Sequence, residues 1–365
     1  MKKVIFGTLF LGLVGLGIVG CKKENGNLNN NDDYIPSVPY LKSINGNDIV
    51  AINGILKFKD FSHVNNVIKS LEVAYEEREE IFLSQFPDYN GEKLMAIEDS
   101  LGYDDLNIFH EFSSMYQYES LFSKTQGDQE EYERKDIEME IEPDDHFVID
   151  YETRTILNSQ EEIIVGDTIY KFYEGGYIAI PNEDFSILSD IRINVNNIKL
   201  YKTINIFGDV TKDGSVETED EEVFCPDAIG WKVKSKTKPY TSTKRIKYKV
   251  GIRTWPWDRI VLAKSINQYR KKNKGAWKKI RVHTKVQVYG DVLEFGVDEN
   301  GAYVDCDNKI SFNTNGSNKF AEKYKTKTLK HKVTDVPTKT RSSWVKGYHR
   351  SYMDETLEFH SVMDY

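Results

Sequence analysis

The stretch Asp209-Val210-Thr211-Lys212-Asp213-Gly214-Ser215-Val216-Glu217-Thr218-Glu219-Asp220 has the spacing of a calcium loop. Carboxylates stand where oxygen ligands are needed first, fifth and twelfth, and Thr211 offers a hydroxyl at the third place. Gly214 falls where such a loop turns sharply, and Ser215 completes the candidate set Asp209, Thr211, Asp213, Ser215 and Asp220. Two departures count against Ca2+. Thr211 replaces the usual Asp or Asn, and Ile204 to Phe207 reads as strand where a helix is expected. The other reading is an acidic turn joining two halves. If calcium binds, the expected affinity is that of extracellular modules, on the order of 10⁻⁴ M.

A second constellation is cationic. In Lys244 to Arg253, the apolar residues Ile246, Tyr248, Val250 and Ile252 alternate with Arg245, Lys247, Lys249 and Arg253. Period two of this kind is a strand with one packed face and one charged face. Lys285 lies on a similar strand, and Trp255 and Trp257 stand beside the first. Such a surface suits a polyanion: an acidic glycan, lipopolysaccharide or released nucleic acid. Cations neutralise phosphate or sulfate while rings stack on sugars or bases. Against this stands a plainer reading, in which the tryptophans are core and the cations are a solvated face or a cover for acidic residues.

Signals for catalysis are sparse. The histidines at 63, 110, 146, 283, 331, 349 and 360 include no pair at H-E-x-x-H spacing, and no G-x-S-x-G elbow or P-loop occurs. His349 and His360 bracket Asp354 and Glu355 without a recognisable motif. The sequence reads as non-enzymatic. A glycan-active alternative would need two convergent carboxylates roughly 5 to 9.5 Å apart in a cleft.

Residues 1–20 read as a lipoprotein signal peptide: Lys2 and Lys3, an apolar run from Val4, then Ile18-Val19-Gly20 before Cys21. Cys21 is the expected acylated residue, giving a lipid-anchored protein of the outer membrane, on its periplasmic or cell-surface side. Residues 21–39, rich in Asn, Asp and Gly, read as a flexible tether. Two further cysteines, Cys225 and Cys306, have no metal-site spacing; a disulfide and two buried thiols are both open in an oxidising compartment.

Charge divides the chain. Residues 22–229 hold 17 Lys/Arg against 45 Asp/Glu, a net of −28, whereas residues 230–365 hold 30 against 13, a net of +17. Either the halves attract one another, within a chain or between copies, or the basic half meets an anionic partner.

The elements that must position these residues fall into an α+β arrangement. Residues 40–145 read as a small acidic, mainly helical domain. It has an Asn53-Gly54 turn, a helix capped by Asp60 or Ser62 and stopped by Pro87, a helix over Gly91 to Leu101, and another from Asp104 to Ser123. Residues 146–207 read as β-hairpins, with strands at Thr153–Leu157, Glu162–Val165, Thr168–Phe172, Tyr177–Ile180 and within Ile191–Phe207. Residues 208–229 form an acidic linker, and 230–365 a basic, antiparallel all-β domain of sandwich-like type.

The chain resembles a group of uncharacterised lipoproteins from Gram-negative bacteria, classed as a domain of unknown function. The resemblance rests on three places: the lipobox followed by Lys22-Lys23-Glu24; Phe147-Val148-Ile149-Asp150 through Gly166-Asp167-Thr168-Ile169-Tyr170-Lys171-Phe172; and Gly230-Trp231 through Trp255-Pro256-Trp257 to Trp277-Lys278-Lys279. It covers about half of the mature chain. It implies localisation and architecture and brings no catalytic residues.

Overall fold

In the computed structural model, the described residues are 48–89, 91–135, 142–174, 176–208, 231–271, 275–297, 303–314, 323–334 and 340–352. The expected signal peptide and tether and residues 209–230 lie outside them. Contacts gather Val38–Tyr365 into one compact unit, a mixed α+β fold.

The described part begins with a hairpin, β1 (Val50–Ile52) and β2 (Ile55–Phe58). Asn53 and Gly54 both take positive φ, 51° and 76°, the geometry that makes this dipeptide a tight hairpin turn. Helix α1 (Phe61–Gln85) follows, and the Asp60 carboxylate accepts from the His63 N–H at 2.8 Å to cap it. Helix α2 (Gly91–Leu101) ends at Gly102, whose φ is 63°. The predicted helix over 104–123 is instead two, α3 (Asn107–Met115) and α4 (Leu121–Lys135), broken where Gln117 turns to φ 52°.

Two other expectations were overturned. The β-branched run Thr153–Leu157 was expected as a strand, but Tyr151–Ile156 forms a short helix, α5. The Asp150 side chain caps it through the Thr153 N–H at 3.3 Å, and all six residues are buried. Tertiary burial thus overrides β propensity. Within Ile191–Phe207, the helix α6 (Phe185–Ile193) and a 3₁₀ segment (Val195–Leu200) occupy most of the expected strand region. Only β6 (Asn205–Gly208) is extended.

Strands β3 (Glu162–Val165), β4 (Thr168–Tyr173), β5 (Gly176–Ile180) and β6 join β1 and β2 in a six-stranded sheet ordered β1-β2-β3-β4-β5-β6. Among the described strands only β2 and β3 pair in parallel, which suits the long helical excursion between them. One face of this sheet, with Ile55, Ile164, Ile169, Ile178 and Ile180, packs under α6. The other face contributes Leu56, Phe58, Ile163, Val165 and Phe172 to the largest core, shared with α1, α3 and α5.

The basic region forms two further antiparallel sheets. The central one orders β10 (Lys278–Lys279), β9 (Arg259–Tyr269), β8 (Lys244–Thr254) and β7 (Trp231–Pro239), with β14 (Thr326–Thr334) also on β9. The last is built on β11 (Val282–Val297), paired with β12 (Tyr303–Asn313), β13 (Lys323–Tyr324) and β15 (Thr340–Tyr352). Ile246, Tyr248, Val250 and Ile252 of β8 and Val282, Val286 and Val288 of β11 share the apolar layer between these two sheets. The chain turns from one sheet to the other at a corner at Arg281, between β10 and β11, and at another at Lys325, between β13 and β14, and crosses again between β14 and β15.

Candidate functional site

The residues picked out by sequence meet different fates. Trp255 and Trp257 make the turn between β8 and β9, closed by the Trp255 N–H to Asp258 carbonyl bond at 2.7 Å. Both are buried, 1% and 2% exposed, in the core built on the first sheet and helices. Their rings stack at 5.0 Å with only 7° between planes, and Phe172 meets both edge-on. Sequence offered these rings as a stacking platform for a ligand. The fold uses them to dock the basic region onto the acidic one, and burying each ring is worth on the order of 5 kcal/mol.

Arg245, Lys247 and Lys249 share one face of β8, as predicted from their period, and that face turns toward the acidic half. The guanidinium of Arg245 pairs with Glu142, and Lys247 with Asp145 and, at 3.5 Å, with Glu142. Lys249 meets Asp145 at 2.7 Å. Burial alone would raise the pKa of Asp145, but Lys249 and Lys247 outweigh it and hold the carboxyl below its ordinary value. On the neighbouring strand, Lys264 donates to the Ile149 carbonyl at 2.9 Å and lies 4.1 Å above the Tyr151 ring.

The same pattern continues at the corners and on β14. Arg281, fully buried, is bidentate to Glu79 at 2.7 and 2.9 Å and donates through Nε to Glu98 at 2.6 Å. Lys325 reaches Glu98 and Asp105, each at 3.0 Å. Lys330 meets Glu152 at 2.8 Å. Burial alone would lower the pKa of Lys330, yet Glu152, Glu72 and Asp150 raise it, so the ammonium stays charged. The acids come from α1, α2, α5 and the connections around them; the cations come from the β-sheets. Glu142 and Asp145 carried no signal in sequence beyond acidic loop character.

The other predicted residues lie elsewhere. Arg253 is on β8, opposite Ile260 in register, and its side chain is outside what the structure describes. Lys285 is half-buried on β11, on the face away from Val282, Val286 and Val288, and register sets it opposite Arg350. Asp209, Thr211, Asp213, Ser215 and Asp220 of the calcium-like loop, Cys21 and Cys225 all lie outside the described residues, and Cys306 belongs to β12. Among the described residues no group of three or more His, Cys, Asp or Glu is placed to hold a metal, and no helix is long and apolar enough to cross a membrane.

One cationic strand escaped the sequence reading. On β7, Lys232, Lys234, Lys236 and Lys238 alternate with Val233, Ser235 and Thr237. Its period-two signal was available in the sequence. Lys234, Lys236 and Lys238 are exposed. Register pairs them with Val250, Tyr248 and Ile246, so they share the face opposite to that of Lys247 and Lys249. Among the described strands β7 is the outermost of its sheet, so this row stands at an edge.

No protein-family model matches the chain, and no curated protein does. A solved structure, that of a DUF4848 family protein from Bacteroides thetaiotaomicron, is similar over 84% of this chain and 95% of its own, with 13% identity and a TM-score of 0.17.

Proposed function

We propose that the protein is a lipid-anchored envelope protein of the outer membrane, held through Cys21, that acts without catalysis by binding an anionic partner on its β-rich region. In this reading residues 40–145 are a helical cover and residues 230–365 a sandwich-like module. The binding surface is the outward edge, β7, rather than the β8 face that the sequence suggested. The observation that carries it is the row of exposed lysines at 234, 236 and 238 along the outermost described strand of the central sheet. Residues two apart on a strand stand about 6.6 Å apart, a linear array suited to a linear polyanion.

Edge lysines also deter strand-to-strand aggregation, and the experiment separates the two roles. Changing Lys234, Lys236 and Lys238 together to Glu keeps the edge charged and reverses its sign. Heparin, lipopolysaccharide and DNA are titrated against the full chain across a salt series. The reading expects wild-type affinity to fall steeply with salt, and the triple variant to lower the slope of log K against log salt by about 2 to 3. Equal affinity and equal slope in both proteins would refute it.

A further inference from the structure

A cleft of about 330 Å³ opens between α2, α4 and the corner of the β-sheets where β9, β10 and β14 meet. That volume is at the small end of the range for small-molecule sites, roughly 300–1,000 Å³. Six carboxylates and three ammonium groups line it. One of those ammoniums, Lys325, is already shared between Glu98 and Asp105 at 3.0 Å each. Of the lining carboxylates, Glu98 and Asp105 are buried, while Asp99, Asp104, Glu130 and Glu133 are exposed or half-buried, as are Lys278 and Lys279. The field this creates is felt within the cleft: burial first, then Asp99, Glu133 and Glu92, push the Tyr269 phenol above its ordinary value.

A second observation is independent of charge. Gln129 is 4% exposed and lines the cleft. Its Nε2 donates to Glu133 at 3.1 Å. A carboxylate can only accept, so this contact fixes the orientation of the amide and leaves Oε1 as the acceptor. Among the described residues that buried oxygen has no donor, and neither has Gln126 Oε1, one turn earlier on α4. The hydroxyl of Thr326, 8% exposed, is likewise unpartnered on the opposite wall. A buried acceptor left unmade costs roughly 1–3 kcal/mol, so two together call for a donor.

We propose that this cleft binds a small molecule carrying a protonated amine. The ammonium sits among Asp99, Glu130 and Glu133, and its N–H groups donate to Gln129 Oε1 and Gln126 Oε1. Charge-assisted donation of this kind is about twice as strong as its neutral counterpart. A neutral polyol satisfies the two amide oxygens but gains nothing from the carboxylates, and an anion is repelled by them. The site lies apart from β7, so its failure leaves the edge-strand reading standing.

The test is calorimetric titration of the full chain with spermidine and with glucosamine, which distinguish a linear amine from an amino sugar, and with N-acetylglucosamine as the uncharged match. At least one amine is expected to bind with Kd below about 1 mM, with N-acetylglucosamine at least tenfold weaker than glucosamine. Asp99→Asn combined with Glu130→Gln, both at exposed positions, should weaken the amine tenfold or more. Gln129→Leu should weaken it as well. Glu77→Gln with Glu80→Gln, on the exposed side of α1 away from the cleft, should leave it unchanged. Failure of both amines to bind overturns the proposal. So does equal affinity for glucosamine and its acetylated form, or equal weakening by the Glu77/Glu80 pair, which would mark a general attraction to the acidic half.

Discussion

Strands β7 and β8 lie side by side and carry nearly the same pattern, a cation at every second residue, yet their cations have opposite surroundings. On β8, Lys247 and Lys249 are 4% and 2% exposed and paired with Asp145. On β7, Lys234, Lys236 and Lys238 are exposed. Register explains the difference. Lys249 stands opposite Ser235 and Lys247 opposite Thr237, so the lysines of the two strands project from opposite faces of one sheet. The face that holds the β8 cations is closed by Glu142, Asp145 and the Trp255–Trp257 turn. The face that holds the β7 lysines is packed by the last sheet only as far as β8, where Ile246, Tyr248, Val250 and Ile252 are buried. A period of two therefore tells which residues share a face, and leaves open which face will be covered and by what.

The comparison can be broken most forcefully at Arg281, where the charge division is buried most deeply. Arg281→Ala leaves Glu79 and Glu98 as buried carboxylates without their guanidinium, and should cost about 3–5 kcal/mol of stability in urea unfolding. A loss below about 1 kcal/mol would mean that these acids find other partners and that the interface is not held by charge.

The apolar layer between the two last sheets offers a sharper contrast through pH. His349 is buried there at 1% exposure, 5.1 Å from the Tyr248 ring, and among the described residues neither ring nitrogen has a hydrogen-bond partner. Burial pushes its pKa down from 6.5 to about 3. A depressed folded-state value means that the unfolded chain takes the proton first. Stability is then complete above pH 6.5 and is lost as pH falls toward 3, by about 2 kcal/mol between pH 7 and pH 5. His349→Phe should remove that loss. Asp145 acts in a lower window: its carboxyl is held below 3.8, so its contribution is present above that value and disappears below it. A wild-type protein whose stability is flat from pH 7 to pH 5 would contradict the neutral, buried imidazole.

A local signal made several elements legible. The Asn53-Gly54 hairpin, the cap at Asp60, the span Gly91–Leu101 and the alternation on β8 all follow from turn chemistry, capping or periodicity within a few residues. Thr153–Leu157 misled because its β-branched residues are buried on every side of a capped helix, where packing outweighs propensity. The Trp255–Trp257 pair misled because aromatic residues beside cations suit both a ligand face and a core; contact with Phe172, far earlier in the chain, decides it. The amine cleft was illegible for a similar reason. Asp99, Gln129 and Thr326 come from three distant elements, and no spacing links them. Gly91 is another case: a Cβ there would fall 1.8 Å from the Arg281 carbonyl oxygen, a constraint that exists only once α2 meets the corner of the sheets.

The most direct test of the claim that the charge division is satisfied inside the chain is a double-mutant cycle between Asp145 and Lys249, with Asp145 and Lys236 as the reference pair, both read as urea-unfolding free energies. The account predicts a coupling of about 1–3 kcal/mol for the first pair, whose contact is 2.7 Å, and none beyond about 0.5 kcal/mol for the second. Equal coupling in the two cycles, or none in either, would contradict it and return the β8 cations to the list of surfaces open to a partner.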